Sequence, residues 1–209
     1  MKILTEHESK KLLAEYGIPV TREAVARSRE DALLLACEIG FPVAMKISSP
    51  DIAHKNAAGC VLLDVGAPDV SATYKTLVEN AKKHAPDARI DGVLVQEMVP
   101  RGTEIVIGVK RDPQFGHVVM FGLGGVFVEV LDDVLFRIVP LTKRDAIEMT
   151  EEIRGRSILT GCDVGAIVDT ILKVSEMAAK ENIFELDINP LIACERGVVA
   201  VDARVVFKG

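Results

Sequence analysis

Apolar residues recur at helical spacing in five stretches of this chain. The clearest runs from about Asp69 to Lys83, where Val70, Leu77 and Ala81 fall on one face. This spacing is typical of an amphipathic helix that covers a sheet. The same periodicity predicts further helices over residues 5–16, 28–39, 142–152 and 167–178.

The segments between these helices are rich in aliphatic and β-branched residues, which predicts strands. Three of them, 92–99, 103–110 and 117–121, follow one another across short turns and predict an antiparallel meander. The other predicted strands cover 20–26, 43–48, 60–65, 126–130 and 134–139, with a hairpin over 183–204. This order predicts an α+β protein with an N-terminal lobe over residues 1–98, a C-terminal lobe over 99–209, and a ligand between them.

Composition is that of an ordinary globular protein, with 49% hydrophobic and 27% charged residues among 209. The net charge of −6 comes without a long basic run, which does not suggest a nucleic-acid surface. Charges interrupt the N-terminus, and no apolar stretch approaches the roughly 20 residues that span a bilayer, so we expect a cytoplasmic protein. The four cysteines lack CxxC spacing, and we expect reduced thiols, mostly in the core.

The hairpin over 183–204 carries acids where a buried strand should carry aliphatic residues. Asp187 and Asn189 share one face of the strand, and Ile188 points to the other. If the turn centres on Glu195 and Arg196, Asn189 lies opposite Asp202, so three hard oxygen ligands meet in a set that suits Mg²⁺. Spacing alone equally allows ordinary acids at a solvated strand end.

Lys46 and His54 are the first candidates for phosphate chemistry. Lys46 interrupts an apolar strand, where a lysine is costly to bury unless an anion meets it. His54 follows in a loop beside Lys55, and an imidazole can accept a phosphoryl group covalently. The alternatives are an edge-strand lysine that discourages aggregation and a solvated loop histidine.

A second candidate segment lies where the two halves join. Gln96 to Val99 closes one strand and Glu104 begins the next. The backbone of such an apolar segment can bind an adenine edge, and a carboxylate can accept hydrogen bonds from ribose hydroxyls. Both Glu97 and Glu104 can equally be surface acids.

Gly122, Gly124 and Gly125 in FGLGGVFVEV form the third candidate. Glycine lets the backbone approach a ligand closely, and its amides can donate to phosphate. The segment lacks the GKS or GKT of a P-loop and does not open a helix. A pair of tight turns explains it equally well.

Taken together, these stretches resemble a known family. The segments VAMKISSPDIAHK, VLVQEMVPRGTEIVIGVKRDPQFG, FGLGGVFVEVLDDVLFRIVPL, ELDINPLIA and VDARVVF are similar, in this order, to the ATP-grasp β subunit of ADP-forming acyl-CoA synthetases, relatives of succinyl-CoA synthetase. The similarity covers nearly the whole chain. It implies an ATP-grasp fold, with two α+β lobes and the nucleotide between them.

The resemblance also implies a mechanism that passes a phosphoryl group through histidine. An α subunit forms an acyl phosphate from acyl-CoA and phosphate, and a histidine of that subunit takes the phosphoryl group. His54 matches the histidine of a mobile β-subunit loop, which carries the group to ADP. The products are ATP, the free acid and CoA.

Several residues match the nucleotide and metal positions of the family. Lys46 would contact the phosphates, Glu104 the ribose, and Asn189 with Asp202 would hold Mg²⁺, with Asp187 as a further ligand. The adenine would lie at Glu97, Met98 and Val99, next to Gln96. The expected cofactors are therefore ATP or ADP and Mg²⁺.

The histidine loop departs from the usual family sequence HKTDVGGV, because Asn56, Ala57, Ala58 and Cys60 replace its Thr, Asp, Val and second Gly. An acidic neighbour of His54 is therefore absent. CoA and acyl sites would lie on a separate α subunit, and we expect a free-standing β subunit in an α2β2 heterotetramer. The alternative is a regulatory or binding domain of a fused acyl-CoA synthetase-like protein acetyltransferase. An ATP-grasp carboxylate–amine ligase fits less well, since it has no use for the histidine loop.

Overall fold

A computed structural model describes residues 1–52, 54–125 and 133–208. The chain forms two compact units. The N unit comprises Thr5–His7 and Thr21–Val99, and the C unit comprises Met1–Leu4, Glu8–Val20 and Pro100–Gly209. The strand predicted over 126–130 lies outside the described residues.

The described elements largely follow the predicted order. They are β1 (Lys2–Ile3), α1 (Glu6–Glu15), β2 (Glu23–Ala26), α2 (Arg29–Ile39), β3 (Val43–Ser48), β4 (Val61–Val65), α3 (Val70–His84), β5 (Gly92–Glu97), β6 (Thr103–Asp112), β7 (Gly116–Leu123), β8 (Val134–Ile138), α4 (Lys143–Glu152), α5 (Val164–Lys180), β9 (Ile183–Ala193), β10 (Val198–Ala200) and β11 (Ala203–Phe207). Short 3₁₀ turns occur at Ala67–Asp69 and Arg156–Leu159.

The helices begin and end where local chemistry predicts. Ser28 caps α2 by accepting a hydrogen bond from the Asp31 N–H at 3.1 Å, and the helix ends at Gly40, whose φ is +100°. Thr142 and Asp145 form a reciprocal capping box at the start of α4. These caps satisfy backbone groups that would otherwise lack intrahelical partners.

The N unit is built on a four-stranded antiparallel sheet in the order β2-β5-β3-β4. One face of this sheet, including Met45, Ile47 and Val95, forms an apolar core with α2 and α3. Lys46 and Gln96 point to the opposite face, because side chains alternate along a strand. The polar residues of β3 and β5 are thereby separated from the helix-covered core.

The C unit is built on an antiparallel sheet in the order β1-β11-β9-β6-β7-β8, with β10 also paired to β9. Residues such as Ile107, Val119 and Ile188 face a core shared with α4 and α5. Gly108, Met120 and Asp187 are cross-strand neighbours on the other face. One side of the sheet therefore packs on the apolar core, whereas the other carries polar groups.

The predicted N-terminal lobe over 1–98 differs from the observed N unit at its start. β1 pairs with β11, with Lys2 opposite Phe207, and Leu13 and Ile18 lie in the core of the C unit. Only Thr5–His7 of the first 20 residues groups with the N unit. Edge-strand pairing and burial of the apolar face of α1 oblige this segment to join the second half of the chain.

The predicted meander is also corrected by the structure. β5 pairs with β2 and β3 in the N unit, not with β6, so the observed meander consists of β6, β7 and β8. A short connection permits a hairpin but does not require one. Here the β5–β6 connection contains Pro100, which lacks a backbone N–H for a ladder.

Two expectations from composition meet different outcomes. None of the four cysteines forms a disulfide, but only Cys60 is buried, so the prediction of mostly core thiols was wrong. Cys37 is exposed on α2, and Cys162 and Cys194 are half-buried. In the described part of the chain, every helix is too short or too polar to cross a membrane.

We predict that Leu13→Ala lowers the free energy of unfolding by about 2–5 kcal/mol, because it leaves a cavity in the core of the C unit. Leu34→Ala is the matched control, since Leu34 is 65% exposed on α2 and its truncation should cost little. Urea denaturation compares the two variants. Equal losses of stability would contradict the assignment of α1 to this core.

Candidate functional site

Lys46 lies on β3, an interior strand that pairs with β4 through Val61 and with β5 through Leu94. This position excludes the edge-strand alternative. The lysine is 5% exposed, and its Nζ donates to Glu6 Oε1 at 2.7 Å. The anion that a buried lysine requires is therefore present within the chain.

Glu6 also binds a second lysine. Lys55 Nζ donates to Glu6 Oε2 at 2.6 Å, so each carboxylate oxygen receives a different ammonium group. The carboxylate side chain is 2% exposed. One negative charge is thus shared by two positive charges, and such charge-assisted hydrogen bonds are strong.

His54 is exposed at the start of a hydrogen-bonded turn between β3 and β4. Its carbonyl accepts from the Ala58 N–H at 3.2 Å, and the Lys55 carbonyl accepts from the Cys60 N–H at 2.8 Å. Asn80 on α3 donates to the Gly59 carbonyl at 2.7 Å. These hydrogen bonds form a turn over residues 54–60, and His54 is exposed at its start.

The predicted adenine segment follows β5. Gln96 is buried, while Glu97, Met98 and Val99 are half-buried. The Glu97 carboxylate accepts from the Arg22 N–H at 2.8 Å and from Arg22 Nε at 2.7 Å. Glu97 thus links the end of β5 to Arg22. The Glu97 carboxylate forms an ion pair with Arg22 on the surface of the N unit.

Glu104 and the glycine-rich segment lie together in the C unit. The Gly124 N–H donates to the Glu104 carbonyl at 2.7 Å, and a Cβ added at Gly124 would lie 2.9 Å from the Glu104 Cβ. A Cβ at Gly125 would lie 2.8 Å from Glu104 Oε2. These glycines allow close packing on Glu104. The Gly124 amide is used for this contact and not for a phosphate.

The hairpin has the predicted register. The Asn189 N–H donates to the Asp202 carbonyl at 3.1 Å, and Ile188 is buried in the core while Asn189 is exposed. Asp187 lies opposite Arg204. Lys10, on α1, donates to the Val201 carbonyl at 2.9 Å and so fixes the corner that precedes Asp202.

Burial raises the pKa of Asp187 above its usual value, because a half-buried carboxylate is less well solvated. Glu185 adds to this effect by charge repulsion, whereas Arg204 opposes it. A bound cation would stabilise the ionised form of Asp187, and the side-chain oxygens of Asp187, Asn189 and Asp202 are of the hard type that Mg²⁺ prefers. Among the described residues, no group of three or more His, Cys, Asp or Glu side chains is arranged to hold a metal ion. The predicted ligand set is of a different kind, because one of its members is the Asn189 amide.

A cavity of about 450 Å³ opens on the same face of the C-unit sheet. Its lining includes apolar Met120 and Phe136 and the charged residues Lys110, Arg111, Asp112, Glu185 and Asp187. This combination of apolar surface with a few charged groups is typical of a small-molecule site.

Comparison with known proteins decides the family. A sequence profile described as "ATP-grasp domain" matches residues 1–207. The chain belongs to the ATP-grasp family. The acetate–CoA ligase (ADP-forming) II subunit beta of Pyrococcus furiosus is 46% identical over 99% of this chain and 92% of its own length. Within the ATP-grasp family, the chain therefore groups with the β subunits of ADP-forming acetate–CoA ligases.

Solved structures agree with this ATP-grasp assignment. Acetyl-coenzyme A synthetase 1 of Ca. Korarchaeum cryptofilum, in complex with coenzyme A and Ca-AMPCP, has a TM-score of 0.96 and 44% identity over 99% of this chain and 94% of that chain. Another structure of it contains coenzyme A and Mg-AMPPCP, with its phosphohistidine segment pointing towards the nucleotide binding site. That structure has a TM-score of 0.85 and 41% identity over 99% of this chain and 93% of that one.

Sequence reasoning missed Glu6, which lies in the helix predicted over residues 5–16. The available signal was Lys46, because a lysine inside a strand demands an anion. That anion comes from 40 residues away in sequence, so local patterns could not identify it. Arg22 and Lys10 were missed for the same reason, since their partners Glu97 and Val201 are distant along the chain.

We predict that Gly124→Ala destabilises the protein by about 1–3 kcal/mol and weakens ADP binding, because the added methyl group would displace the backbone of Glu104. Gly66→Ala is the control, since its nearest contact would be an ordinary 3.7 Å. Thermal unfolding and calorimetry with ADP measure the two effects. Equal behaviour of both variants would show that the close packing on Glu104 is dispensable.

Proposed function

We propose that this chain is the nucleotide-binding β subunit of an ADP-forming acyl-CoA synthetase that works with an α subunit. The overall reaction converts acyl-CoA, ADP and phosphate into the free acid, CoA and ATP. Membership of the ATP-grasp family and similarity to a subunit named as the β chain of an ADP-forming ligase support this proposal. CoA and acyl sites belong to the α subunit in this scheme, within an α2β2 heterotetramer in the cytoplasm.

The observation that carries the proposal is the position of His54 in an ATP-grasp chain. Its imidazole is exposed on an ordered turn, and the next residue, Lys55, is held at the same carboxylate as Lys46. An exposed imidazole next in sequence to a lysine suits a carrier of an anionic phosphoryl group. The structure of the relative from Ca. Korarchaeum cryptofilum has a phosphohistidine segment that points towards its nucleotide binding site, which supports this role.

The transfer involves two exchanges at phosphorus. In the first, an imidazole nitrogen of His54 forms a P–N bond as the phosphoryl group leaves the histidine of the α subunit. In the second, a terminal phosphate oxygen of ADP forms the new P–O bond, and the P–N bond to His54 breaks to regenerate the imidazole. Lys46 and Lys55 favour both exchanges, because ammonium groups stabilise the negative charge on the transferring oxygens.

The remaining candidates are assigned to the nucleotide and its metal. We assign Lys46 to the phosphates and Glu104 to the ribose. Bound Mg²⁺ would neutralise phosphate charge, and Asn189 and Asp202, with Asp187, would hold it. The backbone of the segment after β5 is the part available to the adenine, since the Glu97 carboxylate is bound to Arg22. This segment comprises Gln96, Glu97, Met98 and Val99.

We predict that His54→Ala abolishes ATP formation by the complex of this chain with its α subunit but leaves MgADP binding intact, because His54 carries the phosphoryl group and does not bind nucleotide. His84→Ala is the control, since His84 is exposed at the end of α3. Coupled assays of ATP formation and calorimetry with MgADP make the comparison. Full turnover by the His54 variant would rule out its role as carrier.

We predict that Asp202→Asn weakens Mg²⁺-dependent ATP binding by about tenfold or more, since it removes an anionic ligand and even changes in the outer shell of metal sites have effects of that size. Asp87→Asn, at an exposed position before β5, is the control for the loss of one surface charge. Calorimetric titrations with ATP, with and without Mg²⁺, measure the affinities. An unchanged affinity would show that Asp202 is not a ligand of the metal.

A further inference from the structure

We propose that Glu6 is a positioning residue for phosphoryl transfer, because its carboxylate holds Lys55, and with it the His54 turn, against the phosphate-binding Lys46. This inference rests on the proposed function. It assigns a role to a residue that touches neither His54 nor, in the scheme above, the nucleotide. Glu6 acts through the two lysines.

The geometry shows that one carboxylate links two separate parts of the N unit. Oε1 lies 2.7 Å from Lys46 on β3, and Oε2 lies 2.6 Å from Lys55 in the following turn. The side chains of Glu6, Lys46 and Lys55 are 2%, 6% and 12% exposed. Neither oxygen can give up its lysine without leaving charge in a poorly solvated place.

Stability alone does not account for this cluster. Burying three charged groups carries a large desolvation cost, and apolar residues of similar volume often stabilise a protein as well or better. Two ammonium groups meet at this one carboxylate, and ammonium groups are the kind of donor that binds phosphate, the anion of the proposed reaction.

The two lysines depend on Glu6 to different extents. Lys46 is held by its position on an interior strand, with backbone pairing on both sides. Lys55 lies in the turn, where its side chain reaches Glu6 and its carbonyl accepts from Cys60. Loss of the Glu6 charge should therefore disturb the turn that carries His54 more than it disturbs nucleotide binding.

The first test measures kcat and KM for ADP in the complex with the α subunit, with Glu6→Gln, Glu6→Asp and Glu23→Gln. We expect Glu6→Gln to lower kcat by about tenfold, the loss typical of a hydrogen bond to a charged group, with little change in KM. Glu6→Asp keeps the charge and should recover part of kcat. Glu23→Gln is the matched control, because Glu23 is similarly buried in the N unit but bonds to His7 and Thr21.

The second test is a double-mutant cycle of Glu6→Gln with Lys55→Met, read as the rate at which labelled ATP and Mg²⁺ phosphorylate His54. If Glu6 acts through Lys55, the double variant should be no slower than Lys55→Met alone. Additive losses, or a wild-type kcat for Glu6→Gln, would overturn the proposal. If Glu6→Gln fails to fold, the Lys55→Met variant tests the proposal in its place. An unchanged kcat for Lys55→Met would overturn the proposal.

The same measurements separate this inference from the proposed function. If wild-type protein gains no acid-labile phosphate on His54, or if His54→Ala turns over fully, the proposed function fails. If His54 is phosphorylated normally in wild-type protein and Glu6→Gln matches its rate, only the role of Glu6 is lost.

Discussion

The burial of the Lys46 ammonium group is the constraint on which the N unit depends. The Lys46 side chain is only 6% exposed, so the fold must bring an anion to it. Glu6 is that anion, and its second oxygen fixes Lys55 in the turn that carries His54. The need to pair a buried ammonium group thereby connects β3, the His54 turn and the N-terminal segment through the Glu6 carboxylate.

Both sheets separate packing from chemistry by strand alternation. In each unit, one face forms an apolar core with helices, and the candidate residues on β3, β5 and β9 point to the other face. On β9, Ile188 lies in the core, whereas its sequence neighbours Asp187 and Asn189 point to the other face. Chemistry on the polar face can therefore vary while the core stays the same.

Charge has opposite consequences in the two units. In the N unit, two ammonium groups meet at one carboxylate, and ammonium groups favour an anion. In the C unit, burial and Glu185 raise the pKa of Asp187, so its ionised form favours a cation. The ligand of the proposed function, a nucleotide with Mg²⁺, would present both phosphate anions and a metal cation.

The sequence by itself determined the elements that depend on local physics. Helical periodicity predicted α2 and α3, segments rich in aliphatic and β-branched residues predicted the strands, and strand alternation with the turn at Glu195 predicted that Asn189 lies opposite Asp202. Ordered motifs also indicated the ATP-grasp family, which the profile match confirmed. Only the tertiary structure decided which strands share a sheet, where α1 packs, and which partners Lys46, Lys55 and Glu97 have. Those outcomes depend on contacts between residues far apart in the chain, for which no local pattern carries a signal.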